Sequence, residues 1–258
     1  ERLHPTQPFP TKPAPFDRQG ISEDDLIDFT PEIAEAAKEM AKEYVLGPIF
    51  TPPIVRGSNG KRSTFVVPGA GGGANFPGAT VDPETGIIYI PSATLPHGMG
   101  LVAPPEGTSD WPYTITMDTK IGPFGLPLLK PPYRRITAID LNTGEHVWQI
   151  PFGKGPADHP MLEHLDLPPL GSVFSDVVAE GGVLITKTLL ISYLAQRDEI
   201  DPEAHGSILV AHDKMTGELL GEVLVDQRLH GPPMSYQVGD KQYIAVAGGG
   251  RDEDNELL

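Results

Sequence analysis

The stretch AIDLNTGEHVWQI, residues 138 to 150, places a short turn between two segments rich in β-forming residues. Asp140 stands three residues before Thr143, and Gly144 follows directly. An aspartate in this position accepts hydrogen bonds from turn amides, and the glycine supplies the positive φ that a tight turn needs. The stretch therefore predicts a β-hairpin closed by a short turn.

The same pattern occurs twice more, as DPETG at residues 82 to 86 and as DKMTG at residues 213 to 217. Each copy again lies between two β segments, so we expect three hairpins of one kind. The copies begin at residues 82, 140 and 213, a wider spacing than the roughly 40 to 50 residues of a β-propeller repeat. Either the repeats carry long insertions, or the first copy is not equivalent to the others.

Short β segments separated by turns fill the chain from residue 62 onward, and they predict an all-β fold. One helix is predicted before them, with Thr30 as its N-cap, Pro31 at its first position and Gly47-Pro48 at its end. Its predicted apolar face consists of Ile33, Ala34, Ala37, Met40, Ala41 and Tyr44. Residues 1 to 20 contain five prolines and little periodicity, so they are expected to form an extended strap on the surface.

Composition excludes several classes of protein and site. The 258 residues include 35 acidic and 19 basic side chains, and the resulting charge of −16 opposes binding to nucleic acid or anionic lipid. No apolar run is long enough to predict a transmembrane helix. Because the chain has no cysteine, disulfides, thiolate metal sites and thiol nucleophiles are excluded.

The stretch from Ala138 to Trp148 resembles the tryptophan-docking repeat of quinoprotein dehydrogenase propellers, which reads A-x-D-x-x-T-G-x-x-x-W. In that repeat the tryptophan lies between adjacent sheets, the alanine leaves room for it, and the turn pairs with its neighbours. A second copy, AHDKMTGELLG, keeps the alanine, aspartate, threonine and glycine. It has Gly221 where the tryptophan would stand, so this second contact between blades is expected to be weakened or missing.

Segments along nearly the whole chain, among them PGAGGGANFPGATVDPETGIIYIPS and GPPMSYQVGDKQYIAVAGGG, resemble the C-terminal part of a pyrroloquinoline quinone (PQQ) dependent dehydrogenase of the membrane-type glucose dehydrogenase group. The resemblance implies the C-terminal blades of an eight-bladed β-propeller, with PQQ and a calcium ion on its central axis. It also implies oxidation of a sugar or an alcohol in the periplasm, with electrons passed to a quinone. Residues 1 to 20 are then the strap, residues 21 to 48 a helical insertion, and residues 49 to 258 blades of an incomplete ring.

The segment GAGGGANFPG, residues 69 to 78, contains the first candidate for the cofactor site. It lacks the Lys and Ser/Thr of a P-loop, and a β segment follows it instead of a helix, so a phosphate-binding role is excluded. The resemblance implies that Asn75 contacts PQQ through its amide, with Phe76 in place of the usual tryptophan beside it. The alternative is a structural turn in which Asn75 bonds to its own backbone.

Two further positions are candidates for the PQQ site. The resemblance aligns Gln196 with the end of a strand near the cofactor, where relatives often carry an aspartate. It also places Arg251 near the active-site face, where a guanidinium can contact a PQQ carboxylate or a sugar hydroxyl, the alternative being a solvated loop arginine. The scattered histidines have no zinc-binding spacing, and the acidic run at residues 252 to 254 is more typical of a solvated loop than of a calcium site.

The resemblance places the catalytic aspartate, the lysine that polarises the quinone and the main calcium ligands in blades upstream of the strap. We therefore expect no catalytic residue and no metal ligand in this chain, and no activity from the chain alone. Because the sequence begins without methionine and a partial ring exposes sheet edges, we expect an upstream propeller half or a partner chain. The alternative is a non-enzymatic propeller scaffold that binds other proteins, which the absent base and Gly221 favour.

Overall fold

Four β-sheets and one α-helix make up the regular structure of residues 8–75, 78–173, 182–195, 206–249 and 256–257, which this computed structural model describes. The helix is α1 (Pro31–Ala41). The strands are β1 (Tyr44–Val45), β2 (Ile54–Val55), β3 (Ser63–Val66), β4 (Thr80–Asp82), β5 (Ile87–Ala93), β6 (His97–Val102), β7 (Thr114–Asp118), β8 (Arg134–Asp140), β9 (Glu145–Pro151), β10 (Leu184–Ile185), β11 (Leu189–Ala195), β12 (Ser207–Asp213), β13 (Leu219–Val225), β14 (Leu229–Val238), β15 (Lys241–Gly248) and β16 (Glu256–Leu257).

The second and third sheets have the same layout. Their strand orders are β4-β5-β8-β9 and β10-β11-β12-β13, antiparallel throughout. The first sheet, β1-β3-β6-β2 with β7 also paired to β6, is built partly from a segment inserted between β5 and β8. The fourth sheet is β14-β15-β16. The all-β prediction is therefore confirmed for the described residues.

All three predicted turns close hairpins in the predicted way. In each turn, the glycine N–H donates to the backbone carbonyl of the aspartate at 2.7–2.8 Å, and the glycine has a φ between 70° and 76°. The turn at residues 82 to 86 joins β4 to β5, whereas the other two turns join the third and fourth strands of their sheets. The first copy is thus not equivalent to the others, and the interval from 140 to 213 separates neighbouring sheets.

Trp148, on β9, joins the second sheet to the third. It lies opposite Ala138 on β8, and its indole Nε1–H donates to the Lys214 carbonyl at 3.2 Å. A methyl group at Gly217 would come within 3.1 Å of the indole Cδ2, so the turn approaches the ring closely because glycine has no side chain. Tyr89 packs beside the indole, with 5.8 Å between ring centroids. The docking role predicted for the tryptophan is confirmed.

A buried ion pair crosses the same interface. The Lys214 Nζ lies 2.7 Å from the Asp82 Oδ2, and the two side chains are 7% and 3% exposed. The ammonium also donates to the Thr186 carbonyl at 3.3 Å, and the Thr85 hydroxyl donates to Asp82 at 2.9 Å. The hydrogen bond from Lys214 is the main cause that lowers the pKa of the Asp82 carboxyl. The turn ends of the two sheets are therefore held by both apolar and ionic contacts.

The third sheet lacks the corresponding tryptophan. Gly221 lies opposite Ala211, as Trp148 lies opposite Ala138, and a register shift follows the alanine in both sheets. A methyl group at Gly221 would meet nothing within 4 Å. The exposed apolar residues of β13 are Leu219, Leu220, Val223 and Leu224. Strand β13, at the outer edge of the third sheet, is therefore exposed along its length in the described part of the chain.

The helix begins as predicted but ends earlier. The Thr30 hydroxyl accepts a hydrogen bond from the Ile33 N–H at 3.2 Å, and Pro31 occupies the first position. The prediction that Gly47-Pro48 ends the helix is wrong, because α1 stops at Ala41 and β1 follows. Strand β1 pairs in parallel with β3, with Tyr44 opposite Ser63 and Val45 opposite Thr64.

The N-terminal segment, residues 8–20, contacts β9, the outer strand of the second sheet, between Lys12 and Phe16. The His146 Nε2–H donates to the Ala14 carbonyl at 2.8 Å, and the Gln149 amide donates to the Phe16 carbonyl at 3.3 Å. Lys12 forms an ion pair with Glu145 at the beginning of β9. Side chains of β9 thus bond to the backbone of this extended segment. Across the described ranges, no helix has the length and apolarity needed to cross a bilayer.

Replacing Trp148 with alanine is expected to lower the free energy of unfolding by about 2–4 kcal/mol, because the indole loses its packing against the turn and its bond to Lys214. Urea unfolding followed by circular dichroism measures the change. Val147→Ala is the matched control, since Val147 neighbours Trp148 on β9 and is 44% exposed. An equal loss in both variants would contradict a specific docking role.

Asp82→Asn is expected to destabilise the fold by about 3 kcal/mol at pH 7, because it leaves the buried Lys214 ammonium without a counter-charge. The pKa of Asp82 is lowered in the folded state, so its contribution is present above the ordinary aspartate pKa of about 4 and is lost as pH falls through the folded value. The gap between wild type and variant should therefore narrow in acid. Adding Lys214→Met should recover part of the loss, and no recovery would argue against the ion pair as its cause.

Candidate functional site

The glycine-rich loop, defined here as residues 69–75, lies at the end of the second sheet opposite the turns that dock Trp148. The Ala93 N–H, at the end of β5, donates to the Gly73 carbonyl at 2.8 Å. Within the loop, the Gly72 N–H donates to the Gly69 carbonyl at 2.9 Å, and Gly72 has a φ of 73°. These bonds hold the loop against the last residue of β5.

Two of the loop glycines are required by close contacts with the protein itself. A methyl group at Gly69 would lie 2.3 Å from the Leu95 carbonyl oxygen, and one at Gly73 would lie 2.0 Å from the Asp17 Oδ2. Neither position has room for a side chain. The Gly69 N–H also donates to the Leu95 carbonyl at 3.0 Å. Part of the glycine content therefore reflects packing of the loop onto its support.

Asn75 is exposed at the end of the loop. Its side-chain Nδ2–H donates to the Gly71 carbonyl at 3.5 Å, which is long for such a bond. Its backbone carbonyl accepts from the Gly78 N–H at 2.8 Å. The local bond fits the structural interpretation of Asn75, and the exposure fits the ligand-binding one. A carboxamide both donates and accepts hydrogen bonds, so this side chain can meet a polar edge of a ligand.

The other predicted contacts lie outside the described residues. These are Phe76, Gln196 and Arg251, and the acidic run at residues 252 to 254 lies outside them as well. Of the predicted cofactor contacts, the structure therefore places Asn75. The three others stay predictions.

An unpredicted buried ion pair lies beside the loop. The Arg135 Nη2 on β8 is 3.0 Å from the Asp17 Oδ1, and both side chains are less than one-tenth exposed. The Thr94 hydroxyl donates to the same Asp17 oxygen at 2.8 Å. Burial lowers the pKa of the Arg135 guanidinium, and Asp17 opposes that shift. The sequence signal was the charged pair in YRRITAID, an otherwise apolar strand, but nothing in it identified the partner.

Asp17 connects this ion pair to the loop. Its Oδ2, which has no hydrogen-bond partner among the described residues, faces Gly73. The Arg135 Nη1 also donates to the Phe16 carbonyl at 3.3 Å. The N-terminal segment, β8 and the loop therefore meet in one polar contact.

The glycine-rich loop is distinct from the other surface features that could hold a ligand. In the part of the chain that the structure describes, no group of three or more His, Cys, Asp or Glu side chains is placed to hold a metal ion. A cleft of about 1070 Å³ lies between α1 and the segment from Arg18 to Asp25, lined also by Tyr44 and Lys61. None of the residues that line this cleft belongs to the glycine-rich loop. The loop is thus a separate surface.

A protein-family model described as "PQQ: Glucose/ethanol/alcohol dehydrogenase, beta-propeller domain" matches residues 1–244. The match includes the docking repeat, the glycine-rich loop and Gln196, but not Arg251. It therefore spans most of the chain, including the docking repeat and the glycine-rich loop.

Several similar proteins are named as quinoprotein, quinohemoprotein or quinone-dependent dehydrogenases. A quinoprotein glucose dehydrogenase of Escherichia coli is 27% identical over 78% of this chain and 26% of its own length. A probable quinate dehydrogenase (quinone) of Xanthomonas campestris is 26% identical over 97% of this chain and 32% of its own length. A solved quinohemoprotein alcohol dehydrogenase of Pseudomonas putida has a TM-score of 0.49 and 20% identity, covering 74% of this chain and 24% of that one. The chain spans about a quarter to a third of these relatives.

Gly73→Ala is expected to displace the glycine-rich loop, because its methyl group would overlap the Asp17 carboxylate. We expect at least about tenfold faster amide hydrogen exchange across residues 69–75 and a stability loss of about 1–3 kcal/mol. Gly221→Ala is the matched control, since its methyl group meets nothing within 4 Å. Unchanged exchange in Gly73→Ala would show that the loop is not seated on Asp17.

Proposed function

This chain belongs to the PQQ-dependent family of glucose/ethanol/alcohol dehydrogenase β-propeller domains, and we propose from that premise that it forms one wall of the PQQ site of a sugar or alcohol dehydrogenase. The observation that carries the proposal is the exposed carboxamide of Asn75 at the end of a loop that is tied to the sheet at both Gly69 and Gly73. Such a loop presents a polar group in a defined position without a mobile side-chain stem.

The residues of the loop fit a planar molecule with carbonyl and carboxylate groups on its edge. Asn75 can donate to such oxygens, and Phe76 would add an aromatic face beside it. A methyl group at Gly72 would have 3.7 Å of clearance to its nearest neighbour, so the loop is open above this position. PQQ, when bound, supplies the two-electron oxidising capacity that no side chain of the chain has. Gln196 and Arg251 are proposed as further contacts to PQQ.

The remaining chemistry is proposed to need other parts of the enzyme. Oxidation of a substrate hydroxyl requires a base to take its proton, and we assign no residue of this chain to that role. The ligands of the calcium ion are proposed to lie mostly in segments outside this chain. The chain alone should therefore be inactive. A quinone as electron acceptor and a periplasmic location complete the proposal.

Exposed apolar surface supports the proposal that further blades pack against this chain. Leu220, Val223 and Leu224 on β13 are 54%, 63% and 60% exposed, and they flank the position where a docking tryptophan is absent. Exposed apolar side chains along the outer strand of a sheet are typical of an edge that another structure covers. An upstream propeller half or a partner chain is the proposed occupant. The scaffold alternative is not favoured, because the family is one of dehydrogenases.

Asn75→Ala is expected to weaken PQQ binding about tenfold to a hundredfold, because one hydrogen bond to a charged or strongly polar oxygen is lost. The test combines this chain with the upstream blades and follows PQQ absorbance during titration. Asn142→Ala is the matched control, since it removes an exposed carboxamide from the turn at the opposite end of the sheet. Equal PQQ affinity in wild type and Asn75→Ala would overturn the assignment, and no binding to wild type would overturn the proposed function.

A further inference from the structure

We propose that His97 is a positioning residue, which holds the glycine-rich loop in place by accepting the Ala70 N–H on its neutral imidazole. The purpose assigned to that loop rests on the proposed function, but the contact itself does not. His97 is the first residue of β6 and pairs with Val66 at the end of β3, the strand that precedes the loop, while the Gly73 end of the loop is bonded to β5 of the second sheet. It therefore links the inserted sheet to the candidate site.

The geometry identifies which ring nitrogen acts. The Ala70 nitrogen lies 2.9 Å from the His97 Nδ1. Because a backbone N–H can only donate, Nδ1 must carry a lone pair, and the ring proton of the neutral form must be on Nε2. A methyl group at Gly69 would come within 2.4 Å of the same Nδ1, so the ring lies directly against the loop backbone. The backbone of His97 is itself paired with Val66 on β3, which fixes the position of the ring's attachment.

Three contacts then determine where Asn75 stands. The first is the bond from Ala70 to His97, and the second is the Gly69 bond to the Leu95 carbonyl. The third, at the other end of the loop, is the bond from Ala93 to the Gly73 carbonyl. Removing the imidazole acceptor would leave the Ala70 N–H without this partner and would release the loop on the side of the inserted sheet.

Protonation of His97 would have the same effect as its removal, because imidazolium has no lone pair to offer. Burial lowers the pKa of His97 below its ordinary value of about 6.5. The charged groups on the neighbouring elements are themselves paired: Asp17 of the N-terminal segment with Arg135 of β8, and Asp118 of β7 with Arg56. Because its pKa is lowered in the closed state, His97 binds fewer protons while it accepts the Ala70 N–H than it does after the loop opens. The contact is therefore complete above about pH 6.5 and is lost as pH falls toward the lower pKa of the closed state.

Hydrogen exchange at the Ala70 amide tests this without any cofactor. The complete protein is measured between pH 5 and 8 with each rate divided by the intrinsic rate at that pH, and fragmentation resolves single amides. We expect protection of Ala70 in wild type to fall by up to about tenfold per pH unit below about pH 6.5. His97→Leu, which keeps the volume but removes the acceptor, should lose at least about tenfold in protection at pH 7.5.

Two variants separate the contact from general destabilisation. His97→Asn places an amide oxygen near the position of Nδ1, so it should retain most of the protection and lose its pH dependence. His146→Asn is the control, because His146 lies on the outer strand β9 and bonds to the Ala14 carbonyl. This substitution should leave the protection of Ala70 unchanged. If His97→Leu also loses protection at the amide of buried Ile136, the variant destabilises the sheet as a whole. The test then rests on the pH profile of Ala70 in wild type and on the protection of Ala70 in His97→Asn. Protection that is independent of pH in wild type and unchanged in His97→Leu would overturn the proposal.

Titration with PQQ in the assembled protein separates this inference from the proposed function. If Ala70 depends on His97 but wild type binds no PQQ, the positioning role stands and the proposed function falls. If wild type binds PQQ and His97→Leu leaves both Ala70 and PQQ affinity unchanged, the positioning role falls. Loss of Ala70 protection together with at least about tenfold weaker PQQ binding in His97→Leu would support both.

Discussion

Packing of Trp148 against the turn that carries Lys214 and Gly217 is the contact on which the arrangement of the central sheets depends. One residue serves this contact twice, because the Lys214 carbonyl accepts the indole N–H while its ammonium pairs with Asp82. An apolar contact alone would tolerate sliding between two sheets. The two directional bonds restrict that sliding, and the absence of a side chain on Gly217 sets how closely the sheets approach.

The same strands carry this constraint to the opposite end of the second sheet. β5 and β8 pair without a register shift from Ile87 and Asp140 at the turn end to Ala93 and Arg134 at the other end. The glycine-rich loop is bonded to Ala93, so its position follows from the position of the sheet. Contacts from the N-terminal segment and from the inserted sheet then fix the loop from its two sides.

Local patterns predicted much of this fold. The Asp-x-x-Thr-Gly turns, the helix start at Thr30 and the docking of Trp148 are confirmed, because each depends on residues close together in the chain or on a complete repeat. The membership in the PQQ-dependent family and the β-propeller class are confirmed by the match over residues 1–244. The helix end predicted at Gly47-Pro48 was wrong, since pairing of Tyr44–Val45 with β3 ended the helical pattern before that stop signal. The sequence also left open which turns were equivalent, and only the strand order resolved this.

The sequence by itself determined the turns, because glycine, aspartate and proline act on the backbone within a few residues of where they stand. Its resemblance to known propellers indicated the family and made Asn75 a candidate PQQ contact. The tertiary structure decided how the loop is supported. Asp17 meets Arg135 across more than a hundred residues, and Ala70 meets His97 because β3 pairs with β6. Such pairs leave no local pattern, since what brings them together is the pairing of distant strands and the burial of groups that then require a partner.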